Sequence, residues 1–119
     1  MNNMIEEKSI LFAVKIIKLC KWLSKEKKEY VVSKQLLRSG TSIGANVAEA
    51  QQAQSGADFI AKNSITLKEA AETKYWLRLL KEADYIAPSE VDPVLAECIE
   101  LEKILYTIIR TKRSKKESR

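Results

Sequence analysis

The chain has 119 residues, 45% hydrophobic and 31% charged, with three glycines, two prolines and no histidine. That length supports one domain around one modest core, and the scarcity of glycine and proline favours helices over sheet. Without histidine the commonest general base and metal ligand is missing, so no enzymatic activity, catalytic residue, metal or cofactor is expected.

Residues 1–8 read as a short polar lead-in, and the first helix is predicted from about residue 4 to about residue 27. Ile10, Phe12, Ala13, Ile16, Ile17, Leu19, Cys20 and Leu23 form a broad apolar arc on it. Lys15, Lys18, Lys21 and Lys25 mark the opposite side. Those lysines also break the chain's most apolar run, whereas a membrane span needs about 20 apolar residues. With neither a span nor a secretion signal, a cytoplasmic protein with no membrane role is expected. Turning each residue by about 100° puts Leu11 and Trp22 within the lysine face. Two apolar residues three turns apart on a charged face suggest an oligomer contact, and the alternative is a pair of ordinary exposed side chains. Cys20, like Cys98 further on, stands alone on an apolar face and reads as a buried free thiol.

A charged connector, Lys25 to Tyr30, leads to a second helix over about 33–54, with Ser33 as its expected N-cap. Gly40, Gly44 and Ala48 follow one another at four-residue intervals. Each glycine costs a helix about 1 kcal/mol relative to alanine, so the strip implies close approach of another backbone. Beside it runs a polar row of Arg38, Ser42, Asn46 and Glu49. Gly56 and Asp58 are expected to supply the turn and the cap for a third helix over about 57–83. There Glu72 stands beside Lys68 and Trp76 and in line with Ile65 and Leu79. A carboxylate so bordered is either partly buried with a partner or at the edge of the core. Its candidate partners are Lys68, Asn46 and Arg38, and burial without one would be very costly. Glu49 and Glu72 lack the Glu-x-x-His companions of a carboxylate metal site, so Arg38, Asn46, Glu49 and Glu72 read as structural polar contacts.

Pro88 ends the third helix, and Ser89 is expected to cap a fourth over about 89–113, its first turn tolerating Pro93. Val91, Val94, Leu95, Cys98, Ile99, Leu101, Leu105, Ile108 and Ile109 are expected on its apolar side. Four amphipathic helices joined by short loops predict an all-α, antiparallel up-down-up-down bundle over residues 1–109. The fourth helix then continues or frays into a basic tail, residues 110–119. Arg110, Lys112, Arg113, Lys115, Lys116 and Arg119 face only Glu117, so the whole net charge of +5 resides there. Such a tail suits a phosphate backbone, and basic termini also serve as plain solubilising ends. No P-loop or dinucleotide fingerprint is present, and Gly-Thr-Ser-Ile-Gly lies within a helix rather than after a strand.

The segments RSGTSIGANVAEA at 38–50 and DFIAKNSITLKEAAETKYWLRLL at 58–80 resemble the bacterial four helix bundle protein family. It is also called the 23S rRNA intervening sequence protein, or S23 ribosomal protein, family. The most specific stretches are Ser42 to Glu49 and Ala70 to Leu77, and the likeness runs from the first helix through Tyr85. Ala50 stands where members often have glycine. The resemblance implies an antiparallel four-helix bundle assembled as a homopentamer. The family name records reading frames inserted in ribosomal RNA genes and carries no activity. A distant branch holds basic pentameric accessory proteins of retroelements that bind a reverse transcriptase and its RNA. The expectation is therefore a non-enzymatic oligomeric module that contacts RNA or an RNA-processing protein through its tails and the lysine face of the first helix. The alternative is a protein-interaction scaffold with no nucleic-acid role.

Overall fold

Apolar residues at three- and four-residue spacing, with glycine and proline held to helix ends and one packing strip, leave the chain little choice but helix. The computed structural model describes residues 3–117, and among them there are four helices and no strand. They are α1 (Asn3–Glu26), α2 (Val32–Ala50), α3 (Gly56–Glu82) and α4 (Pro88–Glu117). Each packs on its neighbours in sequence, and α4 closes more thinly against α1, giving an up-down-up-down bundle with extents of 54 × 21 × 20 Å. The connections are too short to do anything but reverse the chain. Two of them use the left-handed backbone: Lys28, with φ of 55°, follows α1, and Asp84, with φ of 64°, ends α3 after Glu82. There the Tyr85 amide donates to the Leu80 carbonyl and the Asp84 amide to the Lys81 carbonyl, which is the Schellman arrangement.

The core is one contiguous cluster drawn from every helix, including Phe12, Ile16 and Leu23, Leu36 and Ile43, Leu77 and Leu80, and Leu101 and Leu105. Of the strip of small residues, Gly40 makes the close approach, Gly44 meets α1 at ordinary contact distance, and Ala48 is exposed. An added Cβ on Gly40 would stand 2.8 Å from Ile16 Cγ2, and one on Gly44 would stand 3.5 Å from Ser9 Oγ. Both glycines therefore face α1. On the other flank of α2, the buried hydroxyls of Ser39 and Thr73 meet at 2.9 Å, pinning α2 to α3.

The caps differ from expectation. Ser33 does not cap α2, since it lies inside the first turn and is buried. Its place is taken by Glu29, whose carboxylate accepts from the amides of Val31 (3.2 Å), Val32 (3.0 Å) and Ser33 (2.7 Å). A longer carboxylate set further back reaches three orphan amides where a serine reaches one. Burial pushes the Glu29 carboxyl up, but the hydrogen bonds from the Ser33, Val32 and Val31 amides outweigh it and hold it below the ordinary glutamate range. A depressed carboxyl contributes stability that is present above the unfolded-state pKa and is lost as pH falls through the folded one. Glu29→Ala should therefore cost about 0.5–2 kcal/mol at neutral pH. In urea titrations the gap from wild type should close as pH drops below the glutamate range, and a gap independent of pH would contradict this role.

The other caps shift similarly. α2 ends at Ala50 rather than near 54, because the amides of Gln51, Gln52 and Ala53 turn to carbonyls three residues back. Ser55, not Gly56 or Asp58, caps α3 by accepting from the Asp58 amide at 3.1 Å. The Asp58 carboxylate in turn accepts from the Gln54 amide. α4 begins at Pro88, with the Ala87 carbonyl accepting the first helical bonds, so Ser89 is already inside the helix and Pro93 falls in its second turn. Proline fits the first helical position, where no amide donor is needed. Ile10 and Ile17 also leave the expected core arc, standing 61% and 41% exposed. A helix in a four-helix bundle buries the stripe facing the axis, and the arc of α1 is wider than that stripe.

Candidate nucleic-acid interface

At about 1.5 Å per residue α4 is about 45 Å long, against about 28 Å for α2, so its C-terminal turns extend the bundle at one end. The helix runs without a break through the basic segment to Glu117. Arg110, Lys112, Arg113 and Lys115 are all exposed there. They divide around the helix. Arg110 and Arg113 flank Tyr106, itself 59% exposed, about a shallow hollow on one side. Lys112 and Lys115 edge an open groove of about 480 Å³ on the other, whose apolar wall includes Ile5, Phe59 and Ile108. The Lys112 ammonium lies 5.6 Å from the centre of the Phe59 ring. Antiparallel packing brings the N-terminal ends of α1 and α3 to this same end beside the C-terminal ends of α2 and α4, so the helix dipoles oppose one another and the positive charge comes from the side chains. Arg119 lies outside the described residues, as does the side chain of Lys116.

The lysine face of α1 is a separate feature. Lys15 pairs with Glu97, and Lys8 pairs with Glu100 at 3.3 Å, so carboxylates of α4 partly cancel that stretch. Lys18, Lys21 and Lys25 are exposed and continue toward the opposite end of the bundle. The Lys15–Glu97 pair marks the register between the two helices. By that register even Lys15 lies about 20 Å along the bundle from Arg110, beyond the screening length of about 10 Å at 0.1 M salt. The structure therefore brings together Arg110, Lys112, Arg113 and Lys115 and leaves the α1 lysines apart.

Leu11 and Trp22 also part company. Leu11 is 62% exposed, while Trp22 packs on the margin of the core with the Lys27 ammonium 5.5 Å from its ring centre. The more continuous exposed aliphatic row on α1 is Ile10, Val14 and Ile17, of which Ile10 and Ile17 belong to the arc expected in the core. Its spacing of four and three residues was visible. What decided its exposure was the rotation of α1 set by Gly40 and Gly44.

The polar residues of α2 and α3 build a surface cluster at the edge of the core. Arg38 bridges Glu69 at 3.3 Å and Glu72, and Trp76 Nε1 donates to the same Glu72 oxygen at 2.9 Å. Glu49 is largely exposed and stands 3.9 Å from Lys62. Asn46 is half-buried, with no side-chain hydrogen bond among the described residues. The two thiols are chemically quiet. Burial, with the Glu29 charge behind it for Cys20 and Glu102 for Cys98, pushes both up to about 12, far from the thiolate form that reacts or binds metal. Among the described residues no group of three or more histidine, cysteine or acidic side chains is placed to hold a metal ion, and no helix is long and apolar enough to cross a membrane.

Comparison with known proteins bears on the bundle and stops short of its basic end. The family model described as 23S rRNA-intervening sequence protein matches residues 1–107. A crystal structure from Bacteroides thetaiotaomicron VPI-5482, described as a protein with unknown function from the S23 ribosomal protein family, is 53% identical. It superposes with a TM-score of 0.88 over 89% of this chain and 98% of its own. No curated protein matches the chain.

Proposed function

The chain belongs to the 23S rRNA-intervening sequence protein family, and from that premise we propose that it is a non-enzymatic, oligomeric module that binds RNA through the cationic end of α4. The observation that carries this reading is the clustering of Arg110, Lys112, Arg113 and Lys115 on exposed helix. Four cations held within two turns neutralise neighbouring phosphates together, whereas the α1 lysines are spread out and partly paired. The family match covers residues 1–107, so the reading of the cationic end rests on this chain's own residues rather than on the family name. Exposed Ile10, Val14 and Ile17 on α1, with Leu37 on α2, support assembly. Each added copy brings another cationic end, so an oligomer multiplies the field felt by a polyanion. A pentamer is the assembly that the family resemblance implies.

The test is a binding titration of labelled RNA at about 50 mM and about 200 mM salt. Affinity should fall steeply between them, as counterion release requires. Absence of binding at the lower salt would reject the reading. The same aliphatic row favours a second one, a protein-interaction scaffold. In that case Val14→Glu should change mass or partner binding while RNA contributes nothing.

A further inference from the structure

The groove beside α4 carries more information than its charge. Its apolar part comes from Ile5 at the start of α1, Phe59 at the start of α3 and Ile108 on α4, with Gln51, Asn63 and two threonines of α4 completing the lining of an open space of about 480 Å³. Lys112 and Lys115 edge it. Phosphate contact alone needs no apolar wall, and an apolar ligand alone needs no lysines. A nucleotide needs both. Resting on the RNA-binding reading above, we propose that this groove takes one unpaired base of a bound RNA strand, with Phe59 and Ile108 against the base and Lys112 and Lys115 on the flanking phosphates.

The ring contact of Lys112 gives the exchange its geometry. In the free protein its ammonium covers the Phe59 ring at 5.6 Å. A base arriving on that ring offers its own π-face to Phe59 and its phosphate to the displaced ammonium, so neither group is left without a partner. The carboxylate next in sequence does not oppose this. Asp58 is turned to the Gln54 amide and stands 3.9 Å from Lys62. A base inside a duplex is already stacked and paired and cannot enter, so the groove selects single strands. Arg110 and Arg113 lie on the other side of the same helix, and a strand of several nucleotides reaches both sides where a free nucleotide reaches one.

The experiment compares the full chain with its Phe59→Leu and Phe59→Tyr variants. Each is titrated with an unstructured RNA of about 12 nucleotides and with the duplex of the same sequence. Wild type should prefer the strand. Phe59→Leu should weaken strand binding about 5- to 100-fold, the loss that follows removal of a stacking aromatic, and should leave duplex binding and the salt dependence unchanged. Phe59→Tyr, which keeps the π-face, should restore the affinity. Equal affinity for strand and duplex, or a strand affinity indifferent to Phe59→Leu, would overturn the groove assignment while leaving RNA binding by the cationic end intact. Binding of neither RNA by wild type would overturn both.

Discussion

Replacing Gly40 with leucine is expected to destabilise the bundle by about 3 kcal/mol or more and to lower its thermal midpoint on the order of 10 °C. Any Cβ at this position lands 2.8 Å from Ile16 Cγ2 and 3.0 Å from Ile16 Cγ1. Ile16 is fully buried and β-branched, so its χ1 has little freedom to yield. The helix must therefore move away from α1, opening the core on both sides of the contact. Gly44 gives the internal control. An added methyl there meets Ser9 at 3.5–3.7 Å, ordinary contact distance, so Gly44→Ala should be neutral or stabilise by up to about 1 kcal/mol through helix propensity. Two glycines one helical turn apart are thus expected to respond with opposite signs. Urea unfolding of both variants measures this directly. Equal responses would mean that Ile16 relaxes and that the α1–α2 approach is looser than the structure has it.

The second large effect is on binding. Changing Arg110, Lys112, Arg113 and Lys115 together to glutamine should remove up to four phosphate contacts per protomer. For a single strand each contact contributes about 0.7 to the slope of log affinity against log salt, so the slope should fall by up to about 2.8. The loss of affinity between about 50 mM and about 200 mM salt should therefore shrink on the order of 50-fold relative to wild type. Glutamine keeps helix propensity close to that of lysine and arginine, and all four side chains are exposed, so the fold should persist. Neutralising Lys18, Lys21 and Lys25 instead should change affinity little, because they lie beyond screening distance from the α4 end. If those two sets of variants behaved alike, the cationic end would have no special role.

Much of the bundle was legible in the sequence because helices announce themselves through period. α3 is the clearest case, its observed bounds differing from the expected 57–83 by one residue at each end. Caps were less legible, since Ser33 and Ser89 look like caps locally. The carboxylate that caps α2 comes from Glu29, three residues before the first helical position, and the start of α4 depends on the fixed backbone of Pro88. Rotation was the least legible property. Ile10 and Ile17 sit on an arc too wide to be buried whole, and only the three-dimensional approach at Gly40 and Gly44 decides which edge meets solvent. For the candidate site, the sequence disclosed the charge of residues 110–119 and not its form. Those residues read as a tail into which the helix either continues or frays; α4 continues through the described part of them, and Phe59 becomes their neighbour only through the fold.

The most direct test of the central claim is the mass of the purified protein by light scattering, alone and with structured RNA carrying single-stranded loops, at low and at high salt. The account predicts an assembly larger than the 13.5 kDa chain that gains mass with RNA at low salt and loses it again at high salt. An assembly whose mass is the same with and without RNA at low salt would contradict it.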